Sequence, residues 1–259
     1  GNRVYCTVRL MLNGQEFTQK GWKRAVRQLC RWLPLLLASA TITVSAFAQS
    51  PIPVPEPAPC FVLLDSGFGV EFYKKDYSNG NPDYVQVIDL SQGARLELLH
   101  GSITEPRSTK GDYGGADPRL KSIPLEEYWE QALAADEHAF CVTNGLFFYM
   151  PEYPTRLAFP LKVNGEIITD GWGKNTYIGE QLLLKIWEDR ADIVKLSKGS
   201  LVSSSAPNII GGLTEQANKR AKFAVGRTFI GIDDHDGDGR YETVLIFNTI
   251  SAQQTSAAD

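Results

Sequence analysis

Residues Val225 to Phe247 read VGRTFIGIDDHDGDGRYETVLIF. A β-favouring run led by Arg227 enters an acid-and-glycine turn, and a second β-favouring run leaves it. The stretch predicts a β-hairpin, with a basic residue at one end and a loop suited to cations at the other. Strand-forming segments of this kind dominate the chain upstream. Tyr84–Leu90 and Arg95–Leu99 read as two strands around Ser91-Gln92-Gly93, a candidate hairpin. Leu161–Ile168 (LKVNGEII) folds back on Asn164-Gly165, the strongest short hairpin signal in the sequence. Gln181–Trp187 and Ala191–Leu196 form a further pair, and Ala206–Leu213 (APNIIGGL) is a short apolar run ended by glycines.

One helix stands out. Pro124 opens it, and Leu125, Tyr128, Trp129, Ala132 and Leu133 share one face. Ala139–Val142 then reads as a buried strand ending in Thr143-Asn144-Gly145. The polar, glycine-rich residues 101–120 read as a surface loop, and Thr214–Lys222 as a polar connection. The expected fold class is α+β: a mixed, largely antiparallel β-sheet with a few flanking helices, in a single domain over 60–259.

The first 48 residues read as a leader. A basic flank (Lys20, Lys23, Arg24, Arg27, Arg31) precedes the apolar run Leu33–Val44, and Ala46-Phe47-Ala48 has the small-x-small form of a secretory cleavage site. The run falls short of the about 20 apolar residues a bilayer span needs. Residues ahead of Met11 read as upstream sequence, and 49–59 (QSPIPVPEPAP) as a stiff proline-rich linker. Segment 1–48 holds seven of the 26 Lys and Arg and one of the 30 Asp and Glu. The remainder carries 19 basic and 29 acidic residues, a net charge near −10. That balance excludes a nucleic-acid partner, and no membrane span is expected once the leader is cleaved. The expected location is secreted, periplasmic or extracellular. In an oxidising space Cys60 and Cys141 are either bridged or two buried thiols.

Four blocks stand in order: Phe140–Tyr149 (FCVTNGLFFY), Leu161–Ile168, Ala206–Leu213 and Gly226–Asp233 (GRTFIGID). Together, over roughly Tyr84 to Asp259, they resemble the phosphodiester glycosidase domain family, which is uncovering-enzyme-like and has bacterial exopolysaccharide-related members. The resemblance implies a hydrolase that removes a sugar from a sugar-1-phosphodiester or related glycan-phosphate linkage, with a carbohydrate or sugar-phosphate partner and no required cofactor. The alternative is a non-catalytic envelope protein of the same fold that binds carbohydrate or assists exopolysaccharide assembly. Two features depart from the family pattern. Leu146 replaces the second glycine of Asn-Gly-Gly-Phe-Phe. The family's later Leu-Asp-Gly-Gly-Gly-Ser segment has no counterpart, and Ser251–Asp259 (SAQQTSAAD) reads as the opening of the helix before it. The domain is therefore expected to lack its C-terminal part.

Such chemistry needs a cation for the phosphate and a carboxylate beside the developing oxocarbenium ion. Arg227 suits the first task, because guanidinium binds phosphate oxygens bidentately. Asn144 is the second candidate catalytic residue, and Asp233, which closes the strand begun by Arg227, is the third. Asp170 is a further candidate carboxylate, and the family's own lies in the missing segment. Gly145, Phe148 and Thr228 are candidate substrate contacts; of Phe147 and Phe148, one is expected in the core, since neighbours on a strand face opposite ways. The loop from Asp234 places acids at relative positions 1, 3, 5 and 9 and glycine at 6. Asp234, Asp236, Asp238 and Glu242 thus form either a structural calcium loop or a plain Asp-Gly hairpin turn. A calcium-dependent adhesion module is the third functional class.

Overall fold

The computed structural model describes residues 7–11, 60–78, 82–173, 176–177, 179–214 and 226–249, with side chains for all but 7–11 and 107–109. The expected signal segment, the linker, most of Thr214–Lys222 and Ser251–Asp259 lie outside the described residues. The described fold is mostly antiparallel β-sheet with two helices.

The first five-stranded sheet has the order β14-β15-β4-β3-β2, formed by Arg227–Asp233, Thr243–Thr249, Asp83–Asp89, Val70–Lys75 and Val62–Gly67. The opening hairpin is thus β14–β15, with register from Arg227↔Thr249 to Asp233↔Thr243. Period-two alternation turns its even-numbered residues inward. Val70, Ile88, Val244 and Ile232 form one row across four strands; the first three are fully buried. Truncating Val244 to alanine at the centre of that row costs about 2–4 kcal/mol.

The second five-stranded sheet has the order β10-β9-β13-β11-β12: Glu166–Thr169, Leu161–Val163, Asn208–Leu213, Gln181–Ile186 and Ala191–Lys195. Asn164 (φ 50°) and Gly165 (φ 88°) turn β9 into β10, as the Asn-Gly pair predicts. Strands β11 and β13 are buried on both faces. Leu184 and Ile210 join the main core, whereas Leu183 and Ile209 meet Leu201 and Ala206 in a second cluster. This double burial explains the unbroken apolar character of Ala206–Leu213.

Two expectations change. Strands β4 and β5 (Arg95–Leu99) do not pair with each other; they belong to different sheets. The Asp89 carboxylate accepts from the Ser91 and Gln92 N–H groups and caps a 3-10 turn at Leu90–Gln92. Gly93 leaves that turn in the left-handed region (φ 88°), which sends the chain away. Residues 101–120 are not a plain loop: β6 (Ile103–Lys110) and β7 (Ala116–Leu120) form a two-stranded ribbon.

The helix expected after Pro124 is α1, Leu125–Ala135, and it buries Tyr128 and Ala132. A short helix α2 (Lys198–Val202) begins on a Ser197–Ser200 capping box. Strand β8 (Ala139–Asn144) lies in a third sheet of order β5-β1-β8, where β1 is Thr7–Met11. Five residues of segment 1–48 thus take the middle of a sheet. Cys60 and Cys141 are both free thiols. Among the described residues no helix is long and apolar enough to cross a membrane.

Candidate functional site

The inner face of the first sheet is apolar at one end and polar at the other. Past Ile246 and Ile230, the next row holds Tyr84, Asn248 and Thr228. There the sheet meets the end of β8. The Asn248 Nδ2 donates to Thr228 Oγ1 (2.9 Å) and to Thr143 Oγ1 (3.0 Å), and Thr228 Oγ1 donates to Asn144 Oδ1 (3.1 Å). Two amides and two hydroxyls from three strands form one chain of donors and acceptors. Thr143 is buried and Asn144 is exposed, so the chain ends at solvent. Gln86, diagonal to Asn248 on the same face, is buried with its Oε1 unpartnered. Uncharged donors and acceptors of this kind suit a neutral, polyhydroxylated ligand.

Arg227 and Thr228 are neighbours on β14, so their side chains leave opposite faces of the sheet. The Arg227 N–H donates to Thr249 Oγ1 (2.9 Å), and its row continues through Thr249 to the buried Asp83. Asp233 closes the same seven-residue strand, about 20 Å from Arg227 at roughly 3.3 Å per residue. Asn144 and Thr228 are brought together, whereas Arg227 and Asp233 are held apart.

Gly145 follows β8 half-buried, and Leu146 turns into the main core at 6 % exposure. Leu146, which stands where the resemblance has a glycine, is thus a core residue. Its burial fixes the phase of the two phenylalanines. Phe148 packs partly buried against the core and bridges to Leu157, while Phe147 is 46 % exposed. Of the two rings Phe147 is the more exposed, and Phe148 is the one set partly into the core.

Asp170 sits just past β10 with 4 % of its surface exposed. Its Oδ2 accepts from the Gly115 N–H (2.8 Å) and the Tyr113 N–H (3.1 Å), in the turn of the β6–β7 ribbon. Burial pushes its carboxyl above the ordinary range. The two N–H groups oppose that shift, and the nearby Asp117 and Asp112 carboxylates add to it. Beside it the fully buried Asp117 takes Arg156 Nη1 at 3.1 Å. Glu152 joins Arg156 (3.4 Å) to Arg119 (2.7 Å). The sequence reading missed this network, whose one legible signal was the Gly111–Gly115 turn. Asp170 fastens the ribbon to the second sheet.

At the far end of the β14–β15 hairpin, Asp234, Asp236, Asp238 and Glu242 each offer an oxygen within 4.8 Å of the others. Asp234 accepts from the N–H groups of Gly237 (2.8 Å), Asp238 (3.1 Å) and Gly239 (2.8 Å), which wraps the loop around its carboxylate. Glu242 is buried and pairs with His235, and Arg240 pairs with Asp189. The four oxygens lie close enough together to hold a metal ion.

Neither the family models nor the curated proteins contain a match to this chain.

Proposed function

We propose that this protein is an exported hydrolase that removes a sugar from a sugar-1-phosphodiester or related glycan-phosphate linkage. The observation that carries the reading is the Thr228–Asn144 hydrogen bond, which joins two of the four resembling blocks at 3.1 Å, at the solvent end of the polar cluster. In the proposed reaction water attacks the anomeric carbon, the bond from that carbon to the phosphate oxygen breaks, and the phosphate leaves as a monoester anion. The water's second proton passes to solvent or a carboxylate. Asn144, Thr228 and Gly145 hold the sugar. Arg227 is assigned to the phosphate by the resemblance, although its side chain leaves the face of the sheet opposite to Thr228. A calcium ion in the Asp234–Glu242 loop has a structural part.

Turnover of a nitrophenyl sugar-phosphate diester tests the reading. Arg227→Ala and Asn144→Ala are each expected to lower kcat/KM by about 100-fold or more, the scale of losing an electrostatic contact in the transition state. Undiminished turnover in Arg227→Ala refutes the role of Arg227. A second reading, sugar binding without cleavage in the cell envelope, draws on the placement of Asp233 about 20 Å from Arg227. Sugar binding with no turnover at any pH selects it.

A further inference from the structure

We propose that Phe147 is the stacking platform of a carbohydrate subsite whose hydrogen-bonding edge is the Asn144 amide. The inference rests on the reading that the ligand carries a sugar, and it names the surface that holds the ring.

Phe147 leaves nearly half of a large aromatic side chain in water, yet the chain around it is pinned. Leu146 is anchored in the core, the Phe147 carbonyl accepts from the Ala158 N–H at 2.8 Å, and Phe148 is bridged to Leu157. The Phe147 ring leans on the buried Phe159 (centroids 5.8 Å apart) and on Tyr177 (5.9 Å). Those two rings are themselves 5.1 Å apart. The space behind Phe147 is thus filled by aromatic side chains, and its exposed face is held in place before any ligand arrives.

A pyranose ring has one face of C–H bonds and a rim of hydroxyls. The negative face of an aromatic ring attracts the former, and an amide the latter. Phe147 and Asn144 are three residues apart, so their Cα atoms lie within about 11 Å. Asn144 is exposed, and its Oδ1 is fixed by Thr228, which orients the Nδ2 donor. An apolar platform and an oriented neutral donor three residues apart on one segment match one sugar ring and its rim. The acidic balance of residues 49–259 opposes the competing idea of an anionic lipid surface.

The test compares Phe147→Ala, Phe147→Trp and Phe68→Ala with the parent protein. Phe68 is also 46 % exposed, in the turn between β2 and β3, and controls for the loss of an exposed ring. Binding of N-acetylglucosamine, glucose, galactose and a nitrophenyl sugar-phosphate diester is read by saturation-transfer NMR and titration calorimetry. At least one probe is expected to receive saturation on its ring C–H protons. Phe147→Ala is expected to weaken that probe about tenfold, Phe147→Trp to retain it, and Phe68→Ala to leave it unchanged. Parent-like binding in Phe147→Ala, an equal loss in Phe68→Ala, or no bound sugar in the parent overturns the subsite. So does a Phe147-dependent binding to phosphatidylcholine vesicles or to a second copy of the chain in place of sugar. Phe147-dependent sugar binding without turnover refutes the hydrolase reading alone. Turnover with an unchanged KM in Phe147→Ala refutes the subsite alone.

Discussion

Gly111 gives up the space that Asp170 fills: a Cβ built on Gly111 would lie 1.2 Å from Asp170 Oδ1. The neighbouring Gly115 is tight to a lesser degree, at 2.8 Å from Oδ2. Glycine is needed here for close approach, and either the turn or the buried carboxylate must move if a methyl is added. Gly111→Ala is therefore expected to cost more than about 3 kcal/mol, read as a fall in the urea midpoint. Gly114→Ala tests something different, since open space surrounds that position but its φ is +76°. Its cost is expected to be about 1–2 kcal/mol, from backbone strain alone.

The buried Asp170 also sets a pH dependence. Its carboxyl titrates above the ordinary 3.8 in the folded protein, so the folded state holds this proton more tightly than the unfolded chain does. The resulting stability is fully present below the unfolded value and is lost as pH rises through the folded value. Asp170→Asn keeps an acceptor for the Gly115 and Tyr113 N–H groups and removes the titration. The difference in urea midpoint between Asp170→Asn and the parent should therefore shift in favour of the variant as pH rises from acid toward neutral. A pH-independent difference would refute the assignment.

The Thr228–Asn144 contact makes a quantitative forecast. Thr228→Val removes the hydroxyl, takes away one acceptor of Asn248 and leaves Asn144 Oδ1 to solvent. A double-mutant cycle of Thr228→Val with Asn144→Ala is expected to give a coupling of about 0.5–1.5 kcal/mol, the net worth of one hydrogen bond. Zero coupling would mean that the two blocks are merely adjacent.

Four carboxylates within 4.8 Å repel one another unless a cation lies between them. Calcium at millimolar concentration is expected to raise the melting temperature, and chelator to reverse it. Asp236→Asn should melt higher than the parent in chelator and lose most of the calcium response. An unchanged melting temperature in both tests leaves the loop as a hairpin turn tied by Asp234.

The two free cysteines should differ sharply towards iodoacetamide. Cys60 is exposed. Cys141 keeps partial residue exposure, but its packing against the core pushes the thiol up to about 12, so little thiolate exists at neutral pH. Mass spectrometry of the native protein at pH 7.5 should find Cys60 modified and Cys141 protected until denaturant is added.

Where the fold depends on local chemistry, the sequence was legible. Asn164-Gly165 specified its turn, Pro124 opened its helix, and the β-favouring runs on either side of the Asp234–Glu242 turn became the β14–β15 hairpin. It was less legible where a distant group decides. Ser91-Gln92-Gly93 resembles a hairpin turn, but whether the strand after it pairs back depends on the whole sheet order. Residues 101–120 look like a loop because the group that fastens their ribbon, Asp170, lies 55 residues beyond Gly115. For the candidate site, alternation allowed only one of Phe147 and Phe148 to face outward, and the burial of Leu146 settled which. The opposite faces of Arg227 and Thr228 followed from the same period-two rule, applied to a strand whose inner face only the folded sheet reveals.

The pairing of β4 with β15 bears on how the molecule is made. Asp89 lies opposite Thr243, roughly 150 residues further along, so the first sheet gains its central contact only by closing a very long loop. Hairpins such as β9–β10 and β11–β12 can form in microseconds from neighbouring residues, but β4 must wait with an open edge. Folding should therefore be slow for a chain of this size, with the unpaired edge of β4 its exposed hazard for aggregation. The Asn144–Thr228 cluster depends on β14 and β15 being docked, so it would be among the last features to appear.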